Sequence, residues 1–394
     1  MRWRCSPMSA PSPINVLAPN HKVDTITRRA ALAGFGVLGL GALTACGRNT
    51  TMAASPPVDG TIESKLNLYT WGDYDSPDLL GKFRDDFDVL LQVDSYGSNE
   101  ELIAKLSSSR GTSGYDVVVP TGSQIDRFAG HDLLQPLDLS LIPNFSHMDP
   151  NFTDQEFDPG NKYTICKAWG TTGYAYRTDV ISREMNSWQD FIDAAGDEAS
   201  GRTSLLSDPW ELTAISLATL GYSLNTTDDK ELEEAKKIII DEIAPHVRAY
   251  FGSASTGMIQ GSFDLMQSYN GDARQGFNEV ENPDDWEYVF PTPSANLWMD
   301  CWAIATGAPH PDAAHEFINF MISPENSMPQ IEYIGYPIGV KGSEKKARKA
   351  KFDNIDLIFP DQKVLDRLEA SIFNEGMAAR VDILTEAKRR SGAA

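Results

Sequence analysis

The stretch Lys65-Leu66-Asn67-Leu68-Tyr69-Thr70-Trp71 alternates in the manner of a β-strand, in which every second side chain lies on the same face. Ser76-Pro77 follows in the preferred order for a helix start and predicts a helix that runs to about residue 87. Residues 90–93, Leu-Leu-Gln-Val, predict the next strand. A strand, a helix and a second strand in this order indicate an α/β fold.

The alternation of strands and helices continues along the chain. Residues 115–120, Tyr-Asp-Val-Val-Val-Pro, form a short apolar run that fits a buried parallel strand, and residues 303–305 are predicted to end a later strand. Further helices are predicted at residues 100–109, 123–130, 187–195, 228–242 and 311–322, and the one at 187 begins with a capping box between Ser187 and Asp190. No internal repeat is visible, so the pattern predicts an ordinary α/β protein.

Length and charge narrow the classes of function. The chain has 394 residues, which is enough for two domains of ordinary size. Its 34 Lys and Arg residues stand against 56 Asp and Glu residues, which gives a formal net charge of -22. A chain this acidic has no electrostatic footprint for nucleic acid, and it raises the local concentration of cations instead. The composition therefore predicts no nucleic-acid partner.

The first part of the chain has the pattern of an export signal. Thr27-Arg28-Arg29 precedes an apolar, Gly-rich run at residues 30–45, and this run is too short for a comfortable membrane span of about 20 residues. The paired arginines indicate the twin-arginine route. Leu43-Thr44-Ala45-Cys46 resembles a bacterial lipobox, which makes Cys46 the lipid-carrying first residue of the mature protein. An uncleaved anchor is the alternative, and either way the folded part is expected outside the cytoplasm.

After the predicted signal peptide, residues 1–45, comes a short tether. Residues 46–61 are small and Pro-rich, as in a linker. Once the leader is removed and Cys46 carries lipid, Cys166 and Cys301 are the two remaining cysteines. Export permits a disulfide between them, and two separate buried thiols fit the sequence equally well.

Neither a metal nor a cofactor is predicted. The histidines show no metal-ligand spacing, and the P-loop, H-E-x-x-H and C-x-x-C patterns are missing from the sequence. Residues 34–39 match the dinucleotide pattern G-x-G-x-x-G, but no strand precedes them. These glycines belong to the leader.

Five short segments combine aromatic, acidic and glycine residues, and we predict them to be loops at one edge of the sheet, where open α/β sheets bind ligands. They are Trp71-Gly72-Asp73-Tyr74, Trp169-Gly170-Thr171-Thr172-Gly173-Tyr174, Asp208-Pro209-Trp210-Glu211, Tyr269-Asn270-Gly271-Asp272 and Trp298-Met299-Asp300.

This combination of residue types suits a diamine or a triamine. Each ammonium group needs a carboxylate, because a buried charge without a partner is very costly. The methylene chain needs flat apolar walls, and each buried CH₂ contributes about 0.8 kcal/mol. Aromatic faces add about 0.5–2 kcal/mol for each cation–π contact. Acids without neighbouring lysines or arginines also argue against an anionic ligand.

The sequence from about residue 66 to residue 340 resembles the spermidine/putrescine-binding proteins of bacterial ABC transporters. The resemblance is carried by all five segments together with residues 115–120, 205–208, 220–228 and 334–337, which stand in the family's order and spacing. It implies the two-domain periplasmic-binding-protein fold of type II, in which crossover strands join two α/β domains that close like a hinged trap on a ligand in the cleft between them.

The resemblance also implies a role for each candidate site residue. Trp71, Tyr74, Trp298 and Tyr336 correspond to aromatic walls, and Tyr269 stands where members often have Trp. Asp208, Glu211 and Asp300 correspond to partners of the amino groups, Thr121 to a polar cleft residue, and Asp73 and Asp272 to acids of putrescine-preferring members. Besides Tyr269, the chain departs from the family at Gly72, which replaces a Thr or Ser, at Ser123 or Gln124, which replaces a Tyr, and at Asn374, the nearest match to a C-terminal Gln.

Several of these residues also have a structural interpretation. Asp208-Pro209-Trp210-Glu211 is a good helix start by itself. Asp272 after Asn270-Gly271 fits a turn, and Trp298 fits an ordinary core. Asp300 is harder to explain in this way, because a buried acid requires a partner.

Small residues at 169–173 lie between strand-like runs and predict a hinge between the domains. The predicted boundaries follow from that hinge. Domain one comprises residues 62–173 and 300–342, and domain two comprises residues 174–299 and 343–394.

The preferred hypothesis is a monomeric transport receptor that is not an enzyme. It binds putrescine or spermidine and delivers it to a membrane permease served by a cytoplasmic ATPase, with the membrane contacted through the lipid anchor. A receptor of the same fold for another cationic amine, a metal or a sugar is the alternative. A hydrolase using Asp208 and Glu211 as a carboxylate pair has no substrate indicated by the sequence.

Overall fold

The computed structural model describes residues 53–393 of the chain. The predicted signal peptide, the lipid site at Cys46 and the first part of the tether lie outside the described residues. Within residues 53–393, no helix combines the length and the apolar character needed to cross a bilayer.

Eleven strands and fourteen α-helices make up the described part of the chain. The strands are β1 (Lys65–Trp71), β2 (Leu90–Tyr96), β3 (Val117–Val118), β4 (Leu134–Gln135), β5 (Thr164–Arg177), β6 (Thr203–Leu206), β7 (Val247–Phe251), β8 (Leu265–Tyr269), β9 (Trp286–Val289), β10 (Ala295–Ala305) and β11 (Leu368–Ala370). The helices are α1 (Pro77–Phe87), α2 (Asn99–Ser109), α3 (Ile125–Gly130), α4 (Trp188–Gly196), α5 (Pro209–Leu220), α6 (Asp229–Lys237), α7 (Ser255–Ile259), α8 (Asn270–Glu279), α9 (Pro311–Met321), α10 (Ser327–Ile334), α11 (Ser343–Ala350), α12 (Ile355–Ile358), α13 (Gln362–Leu365) and α14 (Met377–Ser391).

The predicted elements match the observed ones closely at their starts. The strand at 65, the helix at 76–77 and the capping box of α4 between Ser187 and Asp190 are confirmed. The helix predicted at residues 228–242 is partly wrong, because α6 ends at Lys237 and a π-helical segment, Ile238–Ile243, continues it. The helix predicted from Ser123 begins with a single 3₁₀ turn, Gly122–Gln124, before α3.

The strands form one continuous path in the order β2-β1-β3-β10-β5-β8-β6-β7, with β4 and β11 paired to β10 and β9 paired to β5. β1 pairs in parallel with both β2 and β3, as βαβ units require. β6 likewise pairs in parallel with β7 and β8. The carboxyl ends of β1, β2 and β3, and those of β6, β7 and β8, are the places where loops lead into helices.

Two long strands connect the two halves of this path. β5 pairs antiparallel with β10 over residues 164–171, and its remaining residues pair with β8 and β9. The first lobe, which contains β1–β4, α1–α3, α9 and α10, buries one set of apolar side chains, and the second lobe, which contains β6–β9, α4–α8 and α14, buries another. The fold is therefore the predicted two-domain α/β architecture with crossover strands.

Two of the five segments predicted as loops are strands. Residues 169–174 lie inside the 14-residue strand β5, and residues 298–300 lie inside β10, where Trp298 is the register partner of Gly170. The small residue has a packing reason, because a Cβ at Gly170 would collide with the indole of Trp298. The glycine thus admits a large ring beside the strand, and the hinge at residues 169–173 stays a prediction.

Apart from the two crossover strands, the predicted domain boundaries remain predictions. Ala347, Ile358 and Phe359 follow the predicted boundary at residue 342, and they pack in the core of the first lobe. At the other end of the described chain, the tether is extended along the first lobe. The Ala53 amide donates to the Arg110 carbonyl, and the Gly60 amide donates to the Asp312 carboxylate at 2.9 Å.

The two cysteines of the described chain are register partners on neighbouring strands. Cys166 of β5 lies opposite Cys301 of β10, both are buried, and both are free thiols in the structure. Burial raises the pKa of each thiol above its ordinary value. These thiols are therefore poorly reactive, because the thiolate is the nucleophilic form.

Candidate functional site

A cavity of about 220 Å³ lies between the lobes. This volume is far above the roughly 10–15 Å³ that one enclosed water needs. Its walls come from the residues that follow the carboxyl ends of β1, β2, β3, β6, β7 and β8, together with β10 and residues 371–373. Six strand ends meet at one place, as ligand sites of open α/β sheets do.

The cavity brings together ten of the eleven side chains predicted from the sequence. Those that line it are Trp71, Tyr74, Thr121, Asp208, Glu211, Tyr269, Asp272, Trp298, Asp300 and Tyr336. Asp73 is not brought to the cavity. It is exposed, and its φ of 53° lies in the left-handed region, where the chain turns at the end of β1. That turn leaves the next residue, Tyr74, buried in the cavity wall.

Four aromatic rings make one continuous wall. Trp298 contacts Tyr336 with ring centres 4.9 Å apart and Tyr269 with ring centres 5.6 Å apart. Tyr74 meets Tyr336 edge to face at 5.9 Å. On the other side, Trp71 at the end of β1 is fixed because its indole N–H donates to the Val119 carbonyl at 2.9 Å. Rings held in this way offer flat apolar faces without loss of side-chain freedom on binding.

The helix start of α5 delivers two acids to the cavity. Asp208 is the N-cap, and its Oδ1 accepts hydrogen bonds from the backbone N–H groups of Trp210 (2.8 Å) and Glu211 (3.0 Å). The capping interpretation is therefore confirmed, and both acids line the cavity as well. Burial raises the pKa of Asp208, the capping N–H groups lower it, and the charge of Glu100 raises it again.

Glu211 is the most deeply buried acid of the cavity, with 4% of the residue exposed. Its Oε1 accepts hydrogen bonds from the Thr172 hydroxyl at 2.9 Å and from the Asn296 side-chain amide at 2.7 Å. Among residues 53–393, neither Glu211 Oε2 nor Asn296 Oδ1 receives a hydrogen bond. Burial and the nearby Asp208 charge raise the pKa of Glu211 to about 8. Two hydrogen-bonded side chains thus each keep a buried acceptor without a donor.

Asp300 lies in the middle of β10 and is 8% exposed. The Thr121 hydroxyl donates to its Oδ1 at 2.7 Å. Burial raises the pKa of Asp300 to about 6, and the Thr121 hydrogen bond, the nearby Tyr74 hydroxyl and the charge of Lys167 oppose this rise. Within the described residues, the side-chain partner of this buried acid is the Thr121 hydroxyl.

Asp272 lies in the first turn of α8, so the turn interpretation is wrong. The Tyr336 hydroxyl donates to Asp272 Oδ1 at 2.9 Å and accepts from the Asp272 amide at 3.1 Å. Gly271 permits this contact, because a Cβ there would collide with the Tyr336 ring. Burial raises the pKa of Asp272, and the Tyr336 hydrogen bond lowers it.

No cation of residues 53–393 forms an ion pair with Asp208, Glu211, Asp272 or Asp300. The described residues also contain no group of three His, Cys, Asp or Glu side chains arranged to hold a metal. The cavity therefore has four acids without an ion-pair partner, hydroxyl donors and aromatic walls, and its chemistry suits an organic cation.

Several lining residues were not predicted. They are Ser98, Asn99, Glu100, Ser253, Asn296, Ile372, Phe373 and Met377. Asn296 had a signal, since it precedes Trp298 and Asp300 by two and four positions and strand side chains two apart share a face. Ser123 and Gln124 line the cavity as the resemblance implies, whereas Asn374 does not and bonds to the Asn225 carbonyl.

Comparison with known proteins agrees with this geometry. The sequence model of the bacterial extracellular solute-binding proteins matches residues 78–354. The spermidine/putrescine-binding periplasmic protein of Escherichia coli is 30% identical over 344 residues, which are 86% of this chain and 91% of that protein. The putrescine-binding periplasmic protein SpuD of Pseudomonas aeruginosa is 30% identical over 318 residues, 77% of this chain and 85% of that protein.

Solved structures show the same relationship. The spermidine/putrescine ABC transporter substrate-binding protein PotD of Streptococcus pneumoniae has a TM-score of 0.70 at 30% identity and covers 84% of this chain and 100% of its own. The TpPotD lipoprotein of Treponema pallidum has a TM-score of 0.70 at 25% identity and covers 83% of this chain and 99% of its own. By sequence and fold, this chain belongs to the bacterial extracellular solute-binding protein family.

Proposed function

We propose that the protein is the substrate receptor of an ABC importer and binds a polyamine, putrescine or spermidine, in the cavity between its lobes. The observation that carries the proposal is the set of buried carboxylates that no cation of the described chain neutralises. Leaving such charges unpaired is costly, so the site is built for a ligand that brings the positive charge.

The acceptors favour an ammonium group in particular. Glu211 Oε2 and Asn296 Oδ1 both require a donor, and a primary ammonium offers three N–H groups. Asp300, with Thr121 and Tyr74 beside it, provides a second place for an ammonium. The rings of Trp298, Tyr336 and Tyr269 suit the methylene chain between two such groups.

The relatives support this ligand class, since those at 30% identity are named for spermidine or putrescine binding. Binding and release require no nucleophile or general base, so the proposal includes no reaction and no cofactor. A receptor of this fold for a sugar gains nothing from four acids without cations, and a metal receptor requires a ligand cluster that the described residues lack.

The remaining parts of the proposal follow from the export pattern and the fold. Membership of an extracellular family agrees with an exported protein. We infer twin-arginine export, removal of residues 1–45 and lipid attachment at Cys46, which would hold a monomer at the outer face of the membrane. The two lobes would close about the crossover strands and present the ligand to a permease served by a cytoplasmic ATPase.

Isothermal titration of the purified protein with putrescine and with spermidine tests the proposal. We expect saturable binding of at least one of them with one site per chain. A thermal-shift screen with thiamine, iron and maltose tests the alternative solutes, because a tight ligand raises the melting temperature by mass action. Binding of another solute with no response to either polyamine would refute the polyamine assignment and leave the family assignment intact.

A further inference from the structure

A group of side chains at the edge of the cavity is not explained by the ligand contacts described so far. This mouth cluster consists of Glu100, Gln124, Arg127 and Phe373. Glu100, Gln124 and Phe373 line the cavity, and Arg127 contacts all three of them. Among residues 53–393, Arg127 is the cation that forms an ion pair with an acid lining the cavity, Glu100.

The geometry of Arg127 is well defined for a surface residue. Its Nη1 is 3.0 Å from Gln124 Oε1 and 3.4 Å from Glu100 Oε1. Its guanidinium carbon lies 4.6 Å from the centre of the Phe373 ring, a cation–π arrangement. The side chain of Arg127 is 29% exposed, whereas that of Glu100 is 66% exposed. Three separate contacts therefore hold one guanidinium group at the mouth.

Phe373 belongs to the other side of the cavity. The Ile372 amide donates to Asn225 Oδ1 at 2.9 Å, and the Asn374 side-chain amide donates to the Asn225 carbonyl at 2.8 Å. Asn225 follows α5 in the second lobe, whereas Arg127 is on α3 of the first lobe. The Arg127–Phe373 contact therefore crosses the mouth between the lobes.

The two acids at this end of the cavity also come from different lobes. Glu100 lies in the first turn of α2 in the first lobe, Asp208 is the N-cap of α5 in the second, and both line the cavity. The charge of Glu100 contributes to the raised pKa of Asp208, so the two carboxylates act on each other across the cavity. A cation placed between them would be stabilised by both, and Arg127 already holds one of them.

We propose that Arg127 is a positioning residue for charge selectivity: by engaging Glu100 at the mouth, it keeps a further ammonium group of the ligand out of that end of the cavity. The inference rests on the proposed polyamine function and deepens it. A ligand with two ammonium groups uses the Glu211 and Asp300 ends. A third ammonium near the mouth meets the positive guanidinium and competes with it for Glu100. The native protein therefore discriminates against the more highly charged amines.

The test compares the affinities of ligands that differ in their number of ammonium groups. Dissociation constants for putrescine, spermidine and spermine are measured by calorimetry, at one fixed salt concentration, for the wild type, Arg127→Gln and Arg127→Lys. In Arg127→Gln, we expect the spermidine-to-putrescine affinity ratio to rise about threefold or more, a modest change because the pair is partly exposed. Arg127→Lys keeps the charge and is expected to keep a ratio near that of the wild type.

A second variant shows whether Glu100 is the acid concerned. Adding Glu100→Gln to Arg127→Gln is expected to cancel the gain for spermidine and spermine. A ratio that stays at the wild-type value in Arg127→Gln, or a gain that survives in the double variant, overturns the inference. Because a ratio is compared, a general loss of folding or affinity moves all three amines together and is not mistaken for selectivity. If the wild type binds none of the amines, the proposed function fails, which is a different result.

Discussion

Two regions of the molecule surround carboxylates with hydroxyl groups and aromatic rings, and only one of them contains a cation of the described chain. In the first lobe, the Asp75 carboxylate is buried with Lys167, whose Nζ is 2.6 Å from Asp75 Oδ1 and 2.7 Å from the Tyr74 carbonyl. The ammonium group lies 4.4 Å from the centre of the Tyr74 ring and 4.2 Å from that of Trp302. The Thr70 hydroxyl donates to the other oxygen of Asp75 at 2.9 Å.

The cavity repeats this arrangement without the cation. Glu211 has the Thr172 hydroxyl, Asp300 has the Thr121 hydroxyl, and Asp272 has the Tyr336 hydroxyl, each at hydrogen-bond distance. Aromatic rings stand beside these carboxylates as they stand beside Asp75. What distinguishes the two regions is that a lysine of the chain completes the first and no lysine or arginine of residues 53–393 completes the second.

The Lys167 site indicates the ligand chemistry that the cavity accepts. A lysine side chain is a methylene chain that ends in an ammonium group, so the Lys167 site shows how this protein holds an alkylammonium. Tyr74 belongs to both regions, since it contacts Lys167 and also lines the cavity. The region with its own cation contributes to stability, and the region without one is left for a ligand.

The largest expected effect is on stability and comes from removing Lys167, the cation of the first region. Lys167→Met leaves Asp75 buried without its cation, and we expect the free energy of unfolding to fall by about 3–5 kcal/mol. Urea denaturation followed by circular dichroism measures this change. The double variant Lys167→Met with Asp75→Leu removes both charges, so most of the stability is expected to return. A single variant as stable as the wild type would show that the pair contributes nothing.

The second-largest expected effect is on ligand affinity and comes from removing acids of the cavity. Asp300→Asn and Glu211→Gln are each expected to weaken polyamine binding by more than about 1.5 kcal/mol, since each removes the partner of a buried ammonium. Calorimetric titration gives the affinities. Asp73→Asn is the matched control, because Asp73 is exposed and does not line the cavity. Equal affinities for Asp300→Asn and wild type would remove Asp300 from the site.

The affinity is also expected to depend on pH, because the cavity acids have no cation until the ligand arrives. Burial raises the pKa of Glu211 to about 8 and that of Asp300 to about 6. The ligand's amines remain charged in this range, like a lysine. Below pH 8 binding must expel a proton, so affinity falls as pH falls, by about tenfold or more between pH 8 and pH 6.

Titration in buffers of different ionisation enthalpy measures the proton release directly. Glu211→Gln is expected to weaken the pH dependence between pH 8 and pH 6, because it removes the group whose pKa is raised to about 8, whereas that of Asp300 is about 6. An affinity that rises as the pH is lowered would contradict the assignment of the carboxylates to the ligand.

The smallest effect concerns a single hydroxyl group. Tyr336→Phe keeps the ring of the aromatic wall and removes the hydrogen bond to Asp272. We expect binding to weaken by about 0.5–1.5 kcal/mol, the usual net contribution of one hydrogen bond. Tyr163→Phe, at a tyrosine that does not line the cavity, serves as the control. A loss as large as that of Asp300→Asn would mean that Tyr336 has a larger role than supporting Asp272.

Part of the site was predictable because its signals are local. The pattern Asp208-Pro209-Trp210-Glu211 starts a helix after a strand, and that order by itself brings both acids to the sheet edge. Trp298 and Asp300 share a strand face by their spacing alone. Asp73 lies outside the cavity because the chain turns there with a φ of 53°, which neighbouring residue types do not determine.

Other parts of the site depend on distant contacts. Asn296 and Glu211 are 85 positions apart, and their hydrogen bond exists because β10 passes beside the start of α5. Residues 371–373 reach the cavity because β11 pairs with β10, a pairing for which the short segment has no strong pattern of its own. The sequence analysis named neither residue: Asn296 shares a strand face with Trp298 and Asp300, but its bond to Glu211 and the place of Phe373 depend on the tertiary structure.

The sequence by itself determined the alternating strands and helices, the excess of acid and the aromatic residues beside those acids, because these depend on neighbouring residues and composition. The tertiary structure decided which acids are neutralised. Asp75 and Asp300 are both buried acids that accept a hydrogen bond from a threonine hydroxyl. Of the two, only Asp75 forms an ion pair with Lys167, 92 positions away. Pairing over such a distance depends on how β5 crosses the fold, and that crossing separates an internal ion pair from a site for a cationic ligand.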